Sequence, residues 1–183
     1  EYEELAASLG YGSAAPDIAG LPEALRQASQ AVGERILQGT GRALKYDGGE
    51  GVDYAWPADK QRLFRGAVEA GQAEEAVALL AEEFAAMEAQ ELAGIAYYHF
   101  GEQAATCFFA ALPDGQEHEN VTRWLDSVHS CSTPEAMQAY LAGQMTTELH
   151  RRQEQRREID RRPIQDALRY INKNYRQKIV LED

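Results

Sequence analysis

The sequence predicts a mostly α-helical fold: helical hairpins or a bundle, a small strand–helix–strand remnant at the N-terminus, and a long C-terminal linker helix. Three observations lead to this prediction. From residue 56 onward, apolar side chains recur at three- and four-residue spacing, the period of a helix with one buried face. Residues 5–47 hold two short strand-like segments on either side of one helical segment. From residue 134, a long run of helix-forming residues continues to Pro163.

Size and composition limit the class of protein. The 183 residues suffice for one domain with a substantial core, or for one domain with fragments of its neighbours. Apolar residues make up 44%, which is enough for folding. Two cysteines, Cys107 and Cys131, are too few for a disulfide scaffold and are expected to be reduced thiols. No signal-peptide pattern occurs and no apolar run approaches the roughly 20 residues of a membrane span, so we expect a cytoplasmic location and no membrane partner.

The N-terminal segment predicts two strands and one helix. Residues 5–12 alternate apolar and small side chains and end in glycines, which is typical of a short strand before a turn. A helix is expected over residues 21–38, after a loop in which Asp17 could cap and before Gly39. Residues 42–46 have the pattern of a second strand. The predicted inward face of the helix is Leu21, Leu25, Ala28, Val32 and Ile36.

Nine positions in this segment form a pattern: Ser8, Gly10, Gly12, Ala28, Ala31, Gly39, Gly41, Arg42 and Tyr46. The pattern resembles the closing third of a nucleotide-cyclase-like domain of the GGDEF type. The alanine–aspartate pair of that family's helix is Ala28-Ser29 here, so the acidic residue is lost. The family's substrate- and metal-binding loop would lie before Glu1. The resemblance therefore implies a degenerate, non-enzymatic remnant over residues 1–47.

The next part of the chain predicts a helical regulatory domain over residues 56–149. Helices are expected over residues 57–70, 73–90, 92–112 and 117–130, with a turn at 113–115. The expected inward residues are Leu63, Phe64, Ala67 and Val68, then Val77, Leu79, Leu80, Phe84 and Met87, and then Val121, Trp124, Leu125 and Val128. Glu74, Glu75, Glu82 and Glu83 are expected on solvated faces. The segment 92–112 is apolar nearly all round, so it predicts the most buried helix.

A last long helix is predicted to begin at Pro134, with Thr133 as its N-cap. Its apolar residues recur every four positions, so they should face the core or a partner, and any dimer interface is expected there. These residues are Met137, Leu141, Met145 and Leu149. In the following residues 150–163 only Ile159 is apolar, which predicts a solvated linker helix that Pro163 breaks or kinks.

The last twenty residues, 164–183, carry a pattern with eleven positions in register. They are Ile164, Ala167, Leu168, Tyr170, Ile171, Asn174, Tyr175, Ile179, Leu181, Glu182 and Asp183. The pattern resembles the opening of the DNA-binding module of AraC-type transcription regulators, in which two helix-turn-helix units follow. It implies a truncated module and promoter DNA as the partner of its missing part. It also implies a homodimer, an upstream receiver domain and a bacterial response regulator of two-component signal transduction.

Charge is unevenly distributed along the chain. Residues 150–183 carry ten basic and six acidic side chains, a net charge of +4. The preceding 149 residues carry 8 basic and 24 acidic side chains, a net charge of −16, and an acidic body of that size repels phosphate backbones. Only the C-terminal part could therefore approach DNA. Candidate phosphate contacts are Arg151, Arg152, Arg156 and Arg157; the alternative is a solvated helix neutralised by Glu154, Glu158 and Asp160.

Residues 97–109 hold an aromatic cluster that is the best sequence candidate for a small-molecule pocket. The candidate ligand-binding residues are Tyr97, Tyr98, His99 and Phe108. The alternative interpretation is a bundle core, where aromatic residues at helical spacing usually lie. The four histidines fall on different predicted elements, and no spacing typical of a zinc site or of a phosphate-binding loop occurs. We expect no catalytic residue, no metal and no cofactor.

Three other functions are weighed against the regulator. A helical sensor would bind a metabolite in the aromatic pocket. A protein–protein interaction scaffold of helical hairpins would form complexes without a link to DNA. An enzyme related to nucleotide cyclases would require the substrate loop that this chain lacks.

Overall fold

The fold was analysed in a computed structural model that describes residues 7–48, 54–112 and 118–174. The chain is mostly helical, with a two-stranded sheet near its N-terminus, as the sequence predicts. The elements are β1 (Leu9–Tyr11), a 3-10 turn (Ile18–Gly20), α1 (Leu21–Gly33), α2 (Arg35–Gln38), β2 (Ala43–Lys45), α3 (Ala58–Glu69), α4 (Ala73–Ala89), α5 (Gly94–Ala111), α6 (His118–Ser130) and α7 (Pro134–Asn174).

The N-terminal part is a β-α-β unit in which β1 and β2 pair in parallel. Leu9 lies opposite Ala43 in the register, and α1 packs on the sheet. Gly10 allows close contact, because a Cβ at this position would lie 2.2 Å from the Ala28 carbonyl oxygen. The Ser8 hydroxyl accepts the N–H of Gly41 at 3.1 Å and so ties the end of the crossover to β1.

The single helix predicted over residues 21–38 is divided into α1 and α2, with Glu34 between them. Its ends follow the prediction. The Asp17 carboxylate accepts the N–H of Gly20 and caps the 3-10 turn, and Gly39 ends α2 with a φ of 91° that favours glycine.

The predicted inward face of this segment is partly wrong. Ile36 is buried, but Leu21 and Leu25 are 48% and 67% exposed. The physical reason is the size of the sheet: two strands cover only part of α1 in the described chain. The periodicity identified an apolar face correctly but could not show what covers it.

Helices α3 and α4 form the predicted hairpin, with ends within one residue of the predicted positions. Gly71 makes the turn with a φ of 73°. Phe64, Ala67 and Val68 are buried as expected, whereas Leu63 is 58% exposed. The hairpin therefore buries a narrower stripe than the sequence predicts.

Helix α5 lies at the centre of the body and contacts α1, α2, α3, α4, α6 and α7. The prediction that it is the most buried helix is confirmed. Phe100 has no exposed surface and makes edge-to-face contacts with Tyr54, Trp56 and Phe84, at centroid distances of 5.8, 5.2 and 5.2 Å. Aromatic pairs in this geometry stabilise a core beyond the burial of their area.

Helices α6 and α7 complete the body. Val128 and Trp124 of α6 are buried, and the predicted turn at residues 113–115 lies outside the described residues. The Thr133 hydroxyl accepts the N–H of Ala136 at 3.1 Å, so the predicted N-cap of α7 is confirmed. The predicted break at Pro163 does not occur, because α7 is one helix from Pro134 to Asn174; the alternative, a kink at Pro163, stays a prediction.

The β-α-β unit is joined to the helical body by a close contact of two glycines. A Cβ on Gly94 would lie 2.4 Å from the Gly33 carbonyl oxygen and 2.9 Å from the Glu34 Cα. A Cβ on Gly33 would meet the backbone and Cβ of Ile95 at 3.0–3.1 Å. Both neighbours are backbone atoms or rigid β-branched atoms, so the two helices approach as closely as glycine permits.

We predict that Gly94→Ala lowers the free energy of unfolding by about 1–3 kcal/mol, because the added methyl group must push the two helix backbones apart. The measurement is urea denaturation followed by circular dichroism. Gly143→Ala is the matched control: this helical glycine of α7 has no atom within 4 Å of its Cβ position. Glycine loses more conformational entropy than alanine when it becomes helical. Gly143→Ala should therefore be more stable than the unmodified protein by about 0.5–1 kcal/mol. Equal effects of the two changes would contradict the close contact.

Candidate functional site

Helix α7 is fixed in the body by one stripe of side chains. Met137, Leu141, Met145 and Leu149 are at most 2% exposed and belong to the main core cluster. The stripe therefore faces the core of its own chain. The predicted dimer interface at these four residues is wrong for this fold, because their surfaces are already covered by α4, α5 and α6.

Just after this stripe, α7 leaves the packed helices of the body. A group of polar contacts lies at that point. The Glu148 carboxylate accepts hydrogen bonds from Arg151 at 2.6 and 3.0 Å and from Arg152 at 2.6 Å. Burial alone would raise the pKa of Glu148, but the hydrogen bonds from the two arginines outweigh it and lower the pKa. One helical turn further, the Gln153 amide donates to the Gly71 carbonyl oxygen at 2.5 Å. This bond connects α7 to the turn between α3 and α4.

Beyond Gln153 the described side chains of α7 are exposed, at residues 154–158 and again at 167–172. The prediction of a solvated helix after residue 150 is confirmed for these residues. A helix that buries no face depends on its own propensity and on charge pairs. Here Glu154 precedes Arg157 by three residues, and strong helix formers fill the segment.

The four arginines predicted to contact phosphate divide into two pairs. Arg151 and Arg152 are engaged with Glu148, so their guanidinium groups serve the exit of α7 from the body. Arg156 and Arg157 lie beyond Gln153 and are exposed. Only Arg156 and Arg157 therefore lie where they could bind an external phosphate.

The described part of the C-terminal motif lies on the exposed end of α7. Leu168, Tyr170 and Ile171 are 46–58% exposed although they are large and apolar. Tyr175, Ile179, Leu181, Glu182 and Asp183 of the motif lie outside the described residues. The helix thus presents large apolar side chains that are about half exposed in the described part of the chain.

At the other end of the body, Glu34 and Arg35 connect the α1–α2 joint to α5 and α6. The Glu34 carboxylate accepts the N–H of Gly94 at 2.8 Å and so caps the N-terminus of α5. Arg35 lies 5.3 Å above the ring of Tyr98, donates to its hydroxyl at 3.0 Å, and donates to the carbonyl oxygen of His129. Sequence reasoning missed both residues, because neither lies on an apolar stripe.

The four residues predicted to bind a ligand do not converge on one pocket. Phe108 is fully buried in the core and stacks on Trp124 at 5.2 Å, and His99 is exposed. Tyr98 faces α6, where it stacks on His129 and donates to the Cys131 carbonyl oxygen at 3.0 Å. Adjacent positions on a helix point about 100° apart, so Tyr97, Tyr98 and His99 face different surroundings. The core interpretation therefore holds for Phe108 and Tyr98, and Tyr97 alone lines an open cleft.

That cleft measures roughly 390 Å³ and lies where α2, α4, α5 and the first turn of α7 meet. Its apolar wall is Ile36, Phe84 and Tyr97, with the two rings stacked at 6.2 Å. Its mouth carries the carboxylates of Glu88 and Glu135. Residues of the N-terminal unit (α2), of the helical body (α4 and α5) and of α7 thus line one cleft.

Glu83 is the other polar feature that the sequence analysis misplaced. It was predicted on a solvated face but is 1% exposed. Its carboxylate accepts hydrogen bonds from the Tyr54 hydroxyl and from the Lys60 ammonium group. The hydrogen bond to Glu83 raises the pKa of Lys60, and burial followed by the bond to Glu83 raises the pKa of Tyr54. Its spacing from Ala76, Leu80 and Met87, all buried, is the signal that could have revealed it.

Cys107 and Cys131 are free and partly buried, and burial raises the pKa of both thiols. Within residues 7–48, 54–112 and 118–174, no group of three or more His, Cys, Asp or Glu side chains could hold a metal ion. Across the same residues, the helices are each too short or too polar to cross a lipid bilayer.

We predict that Glu83→Gln lowers the free energy of unfolding by about 1–3 kcal/mol, because the amide leaves the charge of Lys60 unbalanced and places an N–H donor among donors. The measurement is urea denaturation at neutral pH. Glu82→Gln is the matched control, since Glu82 is the exposed neighbour on the same helix. It should change stability by less than about 0.5 kcal/mol. A Glu83 variant as stable as the control would contradict the buried network.

We also predict a pH-dependent contribution from Glu148. A carboxyl whose pKa is lowered by folding stabilises the protein above its unfolded pKa of about 4.3, and this contribution disappears as the pH falls through the lowered value. Glu148→Gln should therefore cost roughly 1 kcal/mol at pH 7. The difference from the unmodified protein should shrink as the pH falls below about 4.

Chemical denaturation at a series of acidic pH values measures this difference. Glu154→Gln is the control, because Glu154 is exposed on the same helix just beyond the body. A cost for Glu148→Gln that persists unchanged into acid would show that the carboxylate charge does not stabilise the exit of α7.

Comparisons with protein-family models, with curated proteins and with solved structures find no match for this chain. The resemblances to the AraC and GGDEF families therefore stay predictions that depend on the residues quoted above. Function is inferred below from the sequence pattern and the geometry of α7.

Proposed function

We propose that this chain is the regulatory and linker region of an AraC-type bacterial transcription regulator of the response-regulator kind. Helix α7 would relay the state of the helical body to a helix-turn-helix DNA-binding module beyond residue 183. The observation that carries the proposal is the form of α7. The helix is buried along one stripe as far as Leu149 and then continues without interruption to Asn174, with exposed side chains at residues 154–158 and 167–172.

The exposed end of α7 supports this assignment. Leu168, Tyr170 and Ile171 belong to the AraC-like pattern, and these large side chains are 46–58% exposed. Exposed apolar stripes of this kind are usually covered by another element or partner. The remaining helices of a DNA-binding module beyond residue 183 would supply that cover.

Electrostatics support an output at the C-terminal end only. The first 149 residues carry a net charge of −16 and repel DNA, whereas the last 34 carry +4. Arg156 and Arg157 are exposed on the basic part, beyond the hydrogen bond from Gln153 to the Gly71 carbonyl oxygen. They could contact phosphates beside the operator while the module reads its bases.

The input would enter at the N-terminal unit. Its resemblance to a degenerate cyclase-like domain suggests a structural role without catalysis, downstream of a receiver domain. Gly33 packs closely on Gly94, and Glu34 accepts a hydrogen bond from α5. A movement of the N-terminal unit would therefore also move α5. A cytoplasmic location and a homodimer belong to the same proposal, with the interface outside the buried stripe of α7.

The proposal predicts that regulation depends on the rotational phase of α7. Two alanines inserted between Gln155 and Arg156 rotate everything beyond them by about 200°, whereas seven inserted alanines return within roughly 20° of the original direction and add about 10 Å. In the intact protein, the two-residue insertion should abolish regulated transcription, and the seven-residue insertion should restore much of it. A promoter fusion measures the output, and binding of the intact protein to promoter fragments is measured in parallel.

Two outcomes would overturn the proposal. If the intact protein binds no promoter DNA specifically, the transcription-regulator class is wrong. If it binds DNA but both insertions leave regulation unchanged, α7 does not relay orientation. The chain of 183 residues alone is the negative control for DNA binding, since it lacks the proposed helix-turn-helix units and carries a net charge of −12.

A further inference from the structure

We propose that the cleft between α2, α4, α5 and the start of α7 binds a small organic cation with an apolar body, such as an arylalkyl amine. Ile36, Phe84 and Tyr97 would hold the apolar body, and Glu88 and Glu135 would hold the cationic group. This inference goes beyond the proposed function, because it concerns an input site whose existence does not depend on a DNA-binding module.

The size and wall of the cleft suit such a ligand. Its volume of roughly 390 Å³ lies within the range of small-molecule sites and equals about a dozen water volumes. Ile36 and Phe84 are at most 4% exposed and form a fixed apolar wall. The stacked rings of Phe84 and Tyr97 offer aromatic faces, which attract cations as well as apolar groups.

Charge determines the class of ligand. Glu88 and Glu135 are the charged residues that line the cleft, and no lysine or arginine lies among the described lining residues. The N-terminus of α7 also borders the cleft and would by itself favour an anion. However, the Thr133 hydroxyl already accepts one of its N–H groups, and the two carboxylates repel an anionic ligand. The balance favours a cation.

Tyr97 supplies the cleft with a polar group as well as its ring. Its side chain is 3% exposed and lines the cleft. Among the described residues the buried side-chain polar atom without a partner is Trp56 Nε1, so the Tyr97 hydroxyl is accessible from the cleft and a ligand can reach it. Burial, followed by the charges of Glu88 and Glu135, raises the pKa of Tyr97. The hydroxyl therefore stays neutral at physiological pH and can accept an ammonium N–H.

The position of the cleft links binding to α7. Glu135 lies in the first turn of α7, Glu88 lies near the end of α4, and Ile36 comes from α2. A cation bridging the two carboxylates would contact α4 and the first turn of α7 at the same time. Binding would therefore favour the arrangement in which these helices are held together.

The test uses tryptamine as the probe, with the chain of 183 residues and isothermal titration calorimetry. Tryptamine has an aromatic body and a primary ammonium group, and it is small enough to enter the cleft. Its neutral analogue tryptophol and its anionic analogue indole-3-propionate keep the body and change only the head group. We expect tryptamine to bind with a Kd below about 1 mM and at least about tenfold more tightly than either analogue, the ratio that corresponds to one charge-assisted contact.

Three variants locate the site. Glu88→Gln and Glu135→Gln should each weaken tryptamine binding by about tenfold, and Tyr97→Phe should weaken it several-fold while keeping the aromatic face. Glu82→Gln removes one negative charge from the exposed face of α4 outside the cleft and should leave the affinity unchanged. This control separates a built site from general attraction of cations to an acidic protein.

The inference is overturned by any of three results. They are equal affinities for tryptamine and tryptophol, equal losses in the cleft variants and in Glu82→Gln, and no heat of binding from tryptamine at concentrations up to about 10 mM, ten times a Kd of 1 mM. None of these results bears on the insertion experiment in α7, so the failure of the cleft and the failure of the proposed output can be distinguished.

Discussion

The arrangement of the whole chain depends on the need to bury α5 on nearly all sides. Ten of its eighteen residues are buried, and its small and aromatic side chains alternate around the helix. Such a helix is stable only if other elements cover it, and each large side chain removed from water contributes about 1.5–3 kcal/mol. Six other helices meet this requirement. The β-α-β unit and α7 are therefore parts of one packed body, because both lie against α5.

This central position gives α5 contacts with every part that a regulatory function needs. Gly94 at its start receives Glu34 from the N-terminal unit, and Tyr97, one turn later, lines the cleft. Gly101 lies against Met137 of α7 and Val128 of α6 so closely that a Cβ would approach within 2.8 Å of both. Contacts this close leave little space for independent movement. The glycines of α5 thus bring the N-terminal unit, α6 and α7 into close contact with one helix.

The sequence predicted the helical elements well because apolar spacing and caps are local signals. Thr133, Gly39 and Gly71 mark ends that need only a hydroxyl or a positive φ, and these can be recognised without knowledge of the fold. Which element covers an apolar face is not a local property, so Leu25 and Leu63 were placed inward although they are 67% and 58% exposed.

The sequence also could not show which side chains from other segments contact a given residue. Glu83 has the spacing of a core residue and the chemistry of a surface residue. Only the approach of Tyr54 and Lys60 from other segments resolves the conflict. The stripe of α7 was ambiguous between core and partner for the same reason. Tyr97 was the one member of the predicted aromatic pocket that lines the cleft, since adjacent residues of a helix cannot share one cavity. Pro163 does not end α7, since a long helix can accommodate the loss of one backbone hydrogen bond.

The free length of α7 has a mechanical consequence. From residue 154 to Asn174 the helix extends about 30 Å past the hydrogen bond between Gln153 and Gly71, at 1.5 Å per residue. A tilt of only about 10° at Gln153 would carry the far end through roughly 5 Å, close to one helical pitch. A tilt that leaves the packing of α7 near Gln153 undisturbed thus moves Asn174 by about the pitch of one helical turn. The length of α7 therefore converts a small change of angle near Gln153 into a larger displacement at Asn174.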